Sequence, residues 1–319
     1  MKERKEAWEK FSIELNSSLS PSFLSSSLPS ESTNGGTKTP ERKLGDGKFG
    51  TAYLYRFSAT QPLLGGDVVL KIASFGENDP NKSSAKVFKQ SGTSDEARKM
   101  APVSLLAEFS REVKCLVALQ HPNIMKFKGV LLPPAPLSLV TEFVSGGSLG
   151  QALSDTKNWK RVPTKQKMGV LKGILKGLNF MHARGFVHRD VKPHNILLAP
   201  SATGSDSSGG GGGDDDDGVL HQWVVAKIAD FGTSVALGPG EKCTGEVGTT
   251  GYIAPEIVNP DGYDGAVDVF AFGVLGWEMF SGLTGALSKN PMIGKDPADL
   301  FEGPRPECGL SHPSSVLVM

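Results

Sequence analysis

A chain of 319 residues, 38% of them hydrophobic, can bury a large core as one big domain or two smaller lobes. Lysine plus arginine equals aspartate plus glutamate at 34 each, so no global field draws the chain to nucleic acid or anionic lipid. The three widely spaced cysteines, Cys115, Cys243 and Cys308, offer neither a disulfide framework nor a zinc pattern, which suits a reducing cytoplasm or nucleus.

Residues 1–10 are crowded with charge and have no apolar run, so no secretory signal is expected. Glu3, Glu6 and Glu9 argue against an organelle transit peptide, although the serine-rich stretch that follows leaves that option open. Residues 1–40 read as a short charged helix followed by a disordered Ser/Pro/Gly-rich segment, with ordered structure expected from Glu41. Strand-like runs follow at 42–44, 50–57, 67–73, 124–132 and 137–144. Among them, Leu105, Phe109, Val113 and Leu116 keep a helical spacing that predicts a helix over 105–119.

From residue 145 the pattern turns helical, with Leu171, Ile174, Leu175, Leu178 and Met181 predicting one apolar face. The apolar stretch 267–283 contains Asp268 and Glu278 and reads as a buried helix rather than a membrane span. Two polar stretches, 74–102 and 205–218, interrupt this plan. The second holds five glycines and then Asp214 to Asp217; four aspartates could collect calcium, but glycines supply no rigid cage, so a solvated loop is expected.

Three motifs fall in one order: Gly45-Asp46-Gly47-Lys48-Phe49-Gly50, then His188-Arg189-Asp190-Val191-Lys192-Pro193-His194-Asn195, then Asp230-Phe231-Gly232. Lys71 lies between the first two, and Ala254-Pro255-Glu256 follows the third. Glycines let backbone N–H groups approach phosphate oxygens that a Cβ would obstruct, although the first motif alone would pass for a hairpin turn. The series resembles the eukaryotic-type protein kinases. Lys192-Pro193 is similar to the serine/threonine class. His121-Pro122-Asn123-Ile124 and Gly303-Pro304-Arg305-Pro306 resemble its tyrosine-kinase-like group. The resemblance covers residues 41–313 apart from the two insertions.

The resemblance implies an α+β, bilobal protein kinase fold. It has a small antiparallel-sheet N-lobe (41–144) and a larger, mainly helical C-lobe (145–319, with the 205–218 insertion). The chain ends soon after Arg305, so the last helices of such a lobe, and the arginine that would pair with Glu256, are expected to be missing. That truncation would expose a patch around Phe270 and Trp277.

The implied chemistry is transfer of the ATP γ-phosphate to protein serine or threonine hydroxyls, with Mg2+ as cofactor. Asp190 would orient or deprotonate the hydroxyl, Lys192 would steady the phosphate, and Asn195 and Asp230 would hold magnesium. Lys71 would reach the phosphates, held by a carboxylate on the following helix. Of Glu108 and Glu112, the spacing to His121 assigns that role to Glu112. ATP would meet Leu44, Gly45, Gly47, Gly50, Ala52, Val69 and Lys71, the backbone of Glu142 and Val144 beyond the gatekeeper Thr141, and Leu197. Ala52 and Val69 depart from the family pattern of valine and alanine, exchanging volume across the adenine site.

Thr249 would bond Asp190 and Lys192, and Asp268 would anchor the catalytic-loop backbone. Arg189 would receive a phosphate on Thr244 or, second, Thr250, placed there by an upstream kinase. His188 and His194 read as packing positions rather than zinc ligands. A pseudokinase that binds nucleotide without catalysis is the main alternative. Gly146-Gly147-Ser148-Leu149-Gly150 also matches the nucleophile elbow of α/β-hydrolases, with Asp230 and His312 to complete a triad, but that reading leaves every other motif as coincidence. The expected partners are protein substrates and no nucleic acid, and the expected setting is cytoplasmic or nuclear.

Overall fold

Alternation of side chains along short strands organises the first part of the chain. The computed structural model describes residues 24–25, 40–47, 50–57, 66–73, 103–132, 137–200 and 224–281. They divide between two units, one of residues 1–120 and 126–143, the other of 121–125 and 144–319. The glycine-loop tip (48–49), the insertions at 74–102 and 205–218, and everything after 281, including Arg305 and His312, lie outside the described residues.

The first unit is a sheet of β1 (Leu24–Ser25), β2 (Arg42–Gly47), β3 (Gly50–Phe57), β4 (Gly66–Ala73), β5 (Phe127–Leu131) and β6 (Ser138–Glu142), in the order β1-β5-β6-β4-β3-β2. Five strands pair antiparallel, and β1 joins the edge in parallel, with Leu24 opposite Val130. Two residues of the serine-rich segment expected to lack structure thus belong to the sheet.

The period of two sends Tyr53 and Tyr55, Val68, Leu70 and Ile72, and Val140 into one buried cluster with Leu131. Each side chain of this kind contributes about 1.5–3 kcal/mol by leaving water. Ala52, Val69 and Lys71 fall on the opposite face: Ala52 pairs with Lys71, and Val69 with Leu54 and Thr141. β5 starts at Phe127 rather than at 124, because Ile124 is taken by an isolated bridge to Ile228 in the second unit. The next N–H, of Met125, donates to the Ile228 carbonyl at 2.8 Å.

Helix α1 (Val103–Ala118) buries Leu106, Phe109, Val113 and Leu116 and places Glu112 on its buried side. The second unit contains α2 (Leu149–Ser154), α3 (Thr156–Arg161), α4 (Thr164–His182) and α5 (Ala266–Ser281). Its short strands are β7 (Phe186–Val187), β8 (Ile196–Pro200), β9 (Val224–Ile228) and β10 (Val235–Ala236), paired as β10–β7 and β8–β9.

The buried face of α4 is Val170, Gly173, Ile174, Gly177, Leu178 and Met181, rotated from the apolar stripe that the sequence suggests. Leu175 is 41% exposed. The reason is close approach: a Cβ at Gly177 would lie 2.7 Å from Ile228 Cδ1 and 2.9 Å from the Asn123 carbonyl oxygen, and one at Gly173 would lie 2.9 Å from Asn123 Nδ2.

α5 is apolar on nearly every side yet buries Asp268 and Glu278. Phe270 packs against the cluster of Val187, Tyr263 and Val267, and both it and Trp277 are half-buried. The exposed large apolar side chain on this helix is Val269, not the expected pair. Among the described residues no helix is long and apolar enough to cross a membrane.

Gly50 has φ +156°, and a Cβ there would lie 1.9 Å from the Ile72 carbonyl oxygen. Gly50→Ala is therefore expected to lower stability by about 1–3 kcal/mol in urea unfolding, while Gly45→Ala, where nothing lies within 4 Å of the new atom, stays near wild type.

Candidate active site

In the first unit, the Lys71 Nζ lies 2.8 Å and 3.0 Å from the two oxygens of Glu112. Strand β4 is central, flanked by β3 and β6, which fixes the lysine's root. Glu112 is 3% exposed, so the pair holds a carboxylate that would be costly to bury alone. Glu108 is half-buried and does not make this contact.

The opposite face that carries Lys71 also carries Ala52 and Val69 as diagonal neighbours on adjacent strands, two residues out of direct register. The Glu142 N–H donates to the Lys126 carbonyl at 3.0 Å, so that atom is used within the sheet. Thr141 is buried. The glycine loop divides its labour: Gly50 is needed for β3 to approach β4, whereas Gly45 faces open space of the kind a phosphate could enter.

The second unit carries a denser arrangement. The fully buried Asp268 accepts hydrogen bonds at one oxygen from the Arg189 N–H (2.8 Å) and at the other from the His188 N–H (2.8 Å). His182 Nε2 lies 2.8 Å from the latter oxygen. This pull on two successive amides accompanies φ +68° at Arg189, a conformation rarely adopted without support.

His188 is fully buried and uses both ring nitrogens: Nδ1 accepts from the Asp190 N–H at 3.2 Å, and Nε2 faces the Ala229 carbonyl at 3.1 Å. Its ring meets Phe231 edge-on at 5.3 Å. With both nitrogens engaged, it is a packing residue and not a metal ligand. His194 is exposed, with its ring against Gly150.

The Asp190 carboxylate gathers three donors. Lys192 Nζ and Asn195 Nδ2 donate to one oxygen at 2.8 Å and 3.0 Å, and the Thr249 hydroxyl donates to the other at 2.6 Å. Lys192 also donates to the Thr249 hydroxyl at 2.7 Å, closing a ring of side chains. Asp230 is exposed with φ +62°, and Leu197 sits half-buried on β8. Among the described residues no three His, Cys, Asp or Glu groups converge to hold a metal alone. The side-chain oxygens of Asp230 and Asn195 are hard donors of the kind that magnesium takes.

Other contacts are not legible from the motifs. Thr233 and Ser234 donate to the His188 carbonyl, and Arg189 Nε donates to the Thr233 carbonyl at 2.7 Å. The Tyr252 hydroxyl donates to buried Glu278 on α5. Burial, and then that carboxylate, push the tyrosine well above its ordinary range. Thr244 is exposed beside buried Cys243, and Thr250 is exposed as well. Ser148 is an N-cap: its oxygen accepts from the Gln151 N–H while Gln151 reaches back to the Ser148 N–H. A Cβ at Gly146 would lie 2.2 Å from the Leu198 carbonyl oxygen. The Gly-x-Ser-x-Gly pattern is thus accounted for by capping and close packing.

Residues 39–293 match the model of the protein kinase domain. The chain belongs to this family. It is 29% identical over 68% of its length to serine/threonine-protein kinase STY46 of Arabidopsis thaliana and 30% identical over 76% to dual specificity protein kinase shkB of Dictyostelium discoideum. It is 33% identical over 56% to serine/threonine-protein kinase VIK of Arabidopsis thaliana. The chain spans 34%, 30% and 37% of the length of these relatives. The sheet and the helices described above are the protein kinase fold that the motif order implied.

Removing Asp268 would leave the His188 and Arg189 amides unsatisfied, at about 1–3 kcal/mol each. Asp268→Ala should therefore cost about 2–6 kcal/mol in urea unfolding, and a loss below about 1 kcal/mol would contradict the anchoring role.

Proposed function

We propose that this kinase domain transfers the γ-phosphate of ATP to serine or threonine hydroxyls of proteins. The observation that carries the reading is the Asp190 carboxylate held by Lys192, Asn195 and Thr249. A carboxylate so held can accept a hydrogen bond from a substrate hydroxyl and take its proton as that oxygen bonds to the γ-phosphorus and the bond from this phosphorus to the departing ADP oxygen breaks. Lys192 lies beside it and can balance charge on a transferring phosphoryl group, while Thr249 keeps both in place.

Lys71, fixed by Glu112, is the cation that would receive the α- and β-phosphates; Asn195 and Asp230 would hold Mg2+. The nucleotide and its metal supply the phosphoryl group and neutralise its charge. Adenine is assigned to the sheet face bearing Ala52 and Val69, and the kinase reading gives it, in addition, the backbone of Glu142 and Val144 and the side chain of Leu197. Leu44, Gly45, Gly47 and Gly50 would line the phosphate end, though Gly50 serves the sheet first. Serine/threonine selectivity rests on Lys192 and on relatives that carry that name, while one relative is named for dual specificity.

The same reading places Thr244, and second Thr250, as the phosphate acceptor that an upstream kinase would use, since Arg189 is the nearby cation of the catalytic loop and Thr244 is exposed. Cys115 and Cys243 are buried thiols, and burial raises the Cys243 pKa, which makes it a poor thiolate; both suit a reducing cytoplasm or nucleus.

Asp190→Asn should retain fold and Mg-ATP-dependent thermal stabilisation while losing at least about a hundredfold in peptide phosphorylation. Lys71→Met should lose turnover through phosphate positioning, and Asp230→Ala should weaken nucleotide binding only when magnesium is present. Wild-type turnover by Asp190→Asn would refute the catalytic assignment; Mg-ATP stabilisation of the parent chain without turnover on any peptide would favour a pseudokinase. Ala52→Val, on the face shared with Val69, should weaken nucleotide binding about threefold or more by overfilling that face; a gain in affinity would refute the compensation between these two positions.

A further inference from the structure

The charge of this chain is balanced overall but not locally. No aspartate or glutamate lies between Asp155 and Asp190, although that stretch carries nine lysines and arginines. Helix α4 runs through it, and its buried face is set by Gly173 and Gly177. The packing thereby turns Lys172, Lys176 and, less fully, Phe180 outward at four-residue spacing, and Arg184 follows in the turn after the helix. Lys172, Lys176 and Arg184 are exposed, and among the described residues Lys172 and Lys176 have no ion-pair partner. Phe180 is half-buried and fixed between neighbours: the Arg184 guanidinium stacks 3.6 Å from its ring centroid, and the His121 ring lies 4.8 Å away. Burial, and after it the charges of Lys176, Arg184 and Lys227, lower the pKa of His121.

At its C-terminal end the row meets an open pocket of about 500 Å3, lined by Arg184, Phe186, Leu237, Pro239, Glu241 and Asp264 among others. The first stretch favours carboxylates. The pocket, with apolar walls and two acidic residues, repels a further carboxylate and accepts an uncharged apolar side chain.

We infer that this face of the second unit docks an extended acidic peptide segment of a partner protein, with alternate carboxylates along Lys172, Lys176 and Arg184 and an apolar residue in the Phe186–Leu237–Pro239 pocket. Spacing supports the match at the helical pair. Lys172 and Lys176 are four residues apart, an advance of about 6 Å, and alternate side chains of an extended chain recur at about 6.7 Å. Nucleic acid fits less well, because binding of single strands without sequence preference uses open aromatic faces, and Arg184 and His121 already cover Phe180. The inference requires no catalysis, so it stands or falls separately from the kinase reading.

The test is fluorescence anisotropy on the full chain with a labelled, C-terminally amidated peptide that alternates glutamate and glycine and ends in leucine. The controls are a glutamine version of the peptide and a single-stranded oligonucleotide. The glutamate peptide should saturate, weaken as salt rises, and bind about tenfold or more weakly to Lys172→Glu/Lys176→Glu/Arg184→Glu. Leu237→Asp should weaken the leucine-ended peptide and leave a glycine-ended one unchanged. Lys172→Glu/Lys176→Glu keeps the test decisive if loss of the Arg184 stack unfolds the triple variant, because both lysines are exposed. Equal binding of the glutamine peptide, undiminished binding by the double variant, or tighter binding of the oligonucleotide would overturn the proposal. So would peptide binding that emerges only when Asp214 to Asp217 are changed to asparagine, which would make the surface an internal contact.

Discussion

The second unit is organised around one buried carboxylate. Asp268 lies within an otherwise apolar helix, where an ionised group is tolerated only with strong partners. It finds them in two successive amides of the catalytic loop and the His182 ring. The same contacts hold Arg189 at positive φ immediately before Asp190. From there the order spreads: His188 bonds the Asp190 amide and the Ala229 carbonyl, and Thr233 and Ser234 close on the His188 carbonyl. A strained loop is thus supported on both sides by hydrogen bonds whose donors and acceptors are themselves buried or fixed.

The first unit solves a different problem. A lysine needs a fixed origin and a partner that prevents it from wandering. Strand β4 provides the first, because its flanking strands leave its backbone no freedom, and helix α1 provides the second through Glu112. The period of two in β4 does both tasks at once: Val68, Leu70 and Ile72 lock one face into the core, and this obliges Val69 and Lys71 to face the other way. Gly50 belongs to the same logic, since its lack of a Cβ admits the Ile72 carbonyl. Its place in a glycine-rich motif therefore reflects sheet packing as much as any ligand.

Helix α4 links the catalytic loop to the basic surface. Its two glycines draw it against Asn123 and Ile228, and this rotation determines both which residues are buried and which lysines face water. Close packing on one side and a row of cations on the other are two outcomes of one choice of residues.

The sequence by itself determined the order of chemical parts and the reach between them. The pairing of Lys71 with Glu112 and the contact of Thr249 with Asp190 and Lys192 were legible because each motif couples residue types at fixed local spacing. The strands at 50–57 and 67–73 and the helix over 105–119 were legible from period alone and match β3, β4 and α1 closely. Tertiary structure decided what no local period encodes. Glycine carries no hydrophobic signal, so the true buried face of α4 was hidden behind Leu171 and Leu175. The strand role of Leu24 and Ser25 depends on an edge contributed by residues a hundred positions away. Buried hydrogen bonds such as Tyr252 to Glu278, and the clustering of Lys176, Arg184 and His121, arise from folding distant segments together. They have no spacing to read, because the distances that matter are set in space by packing rather than along the chain.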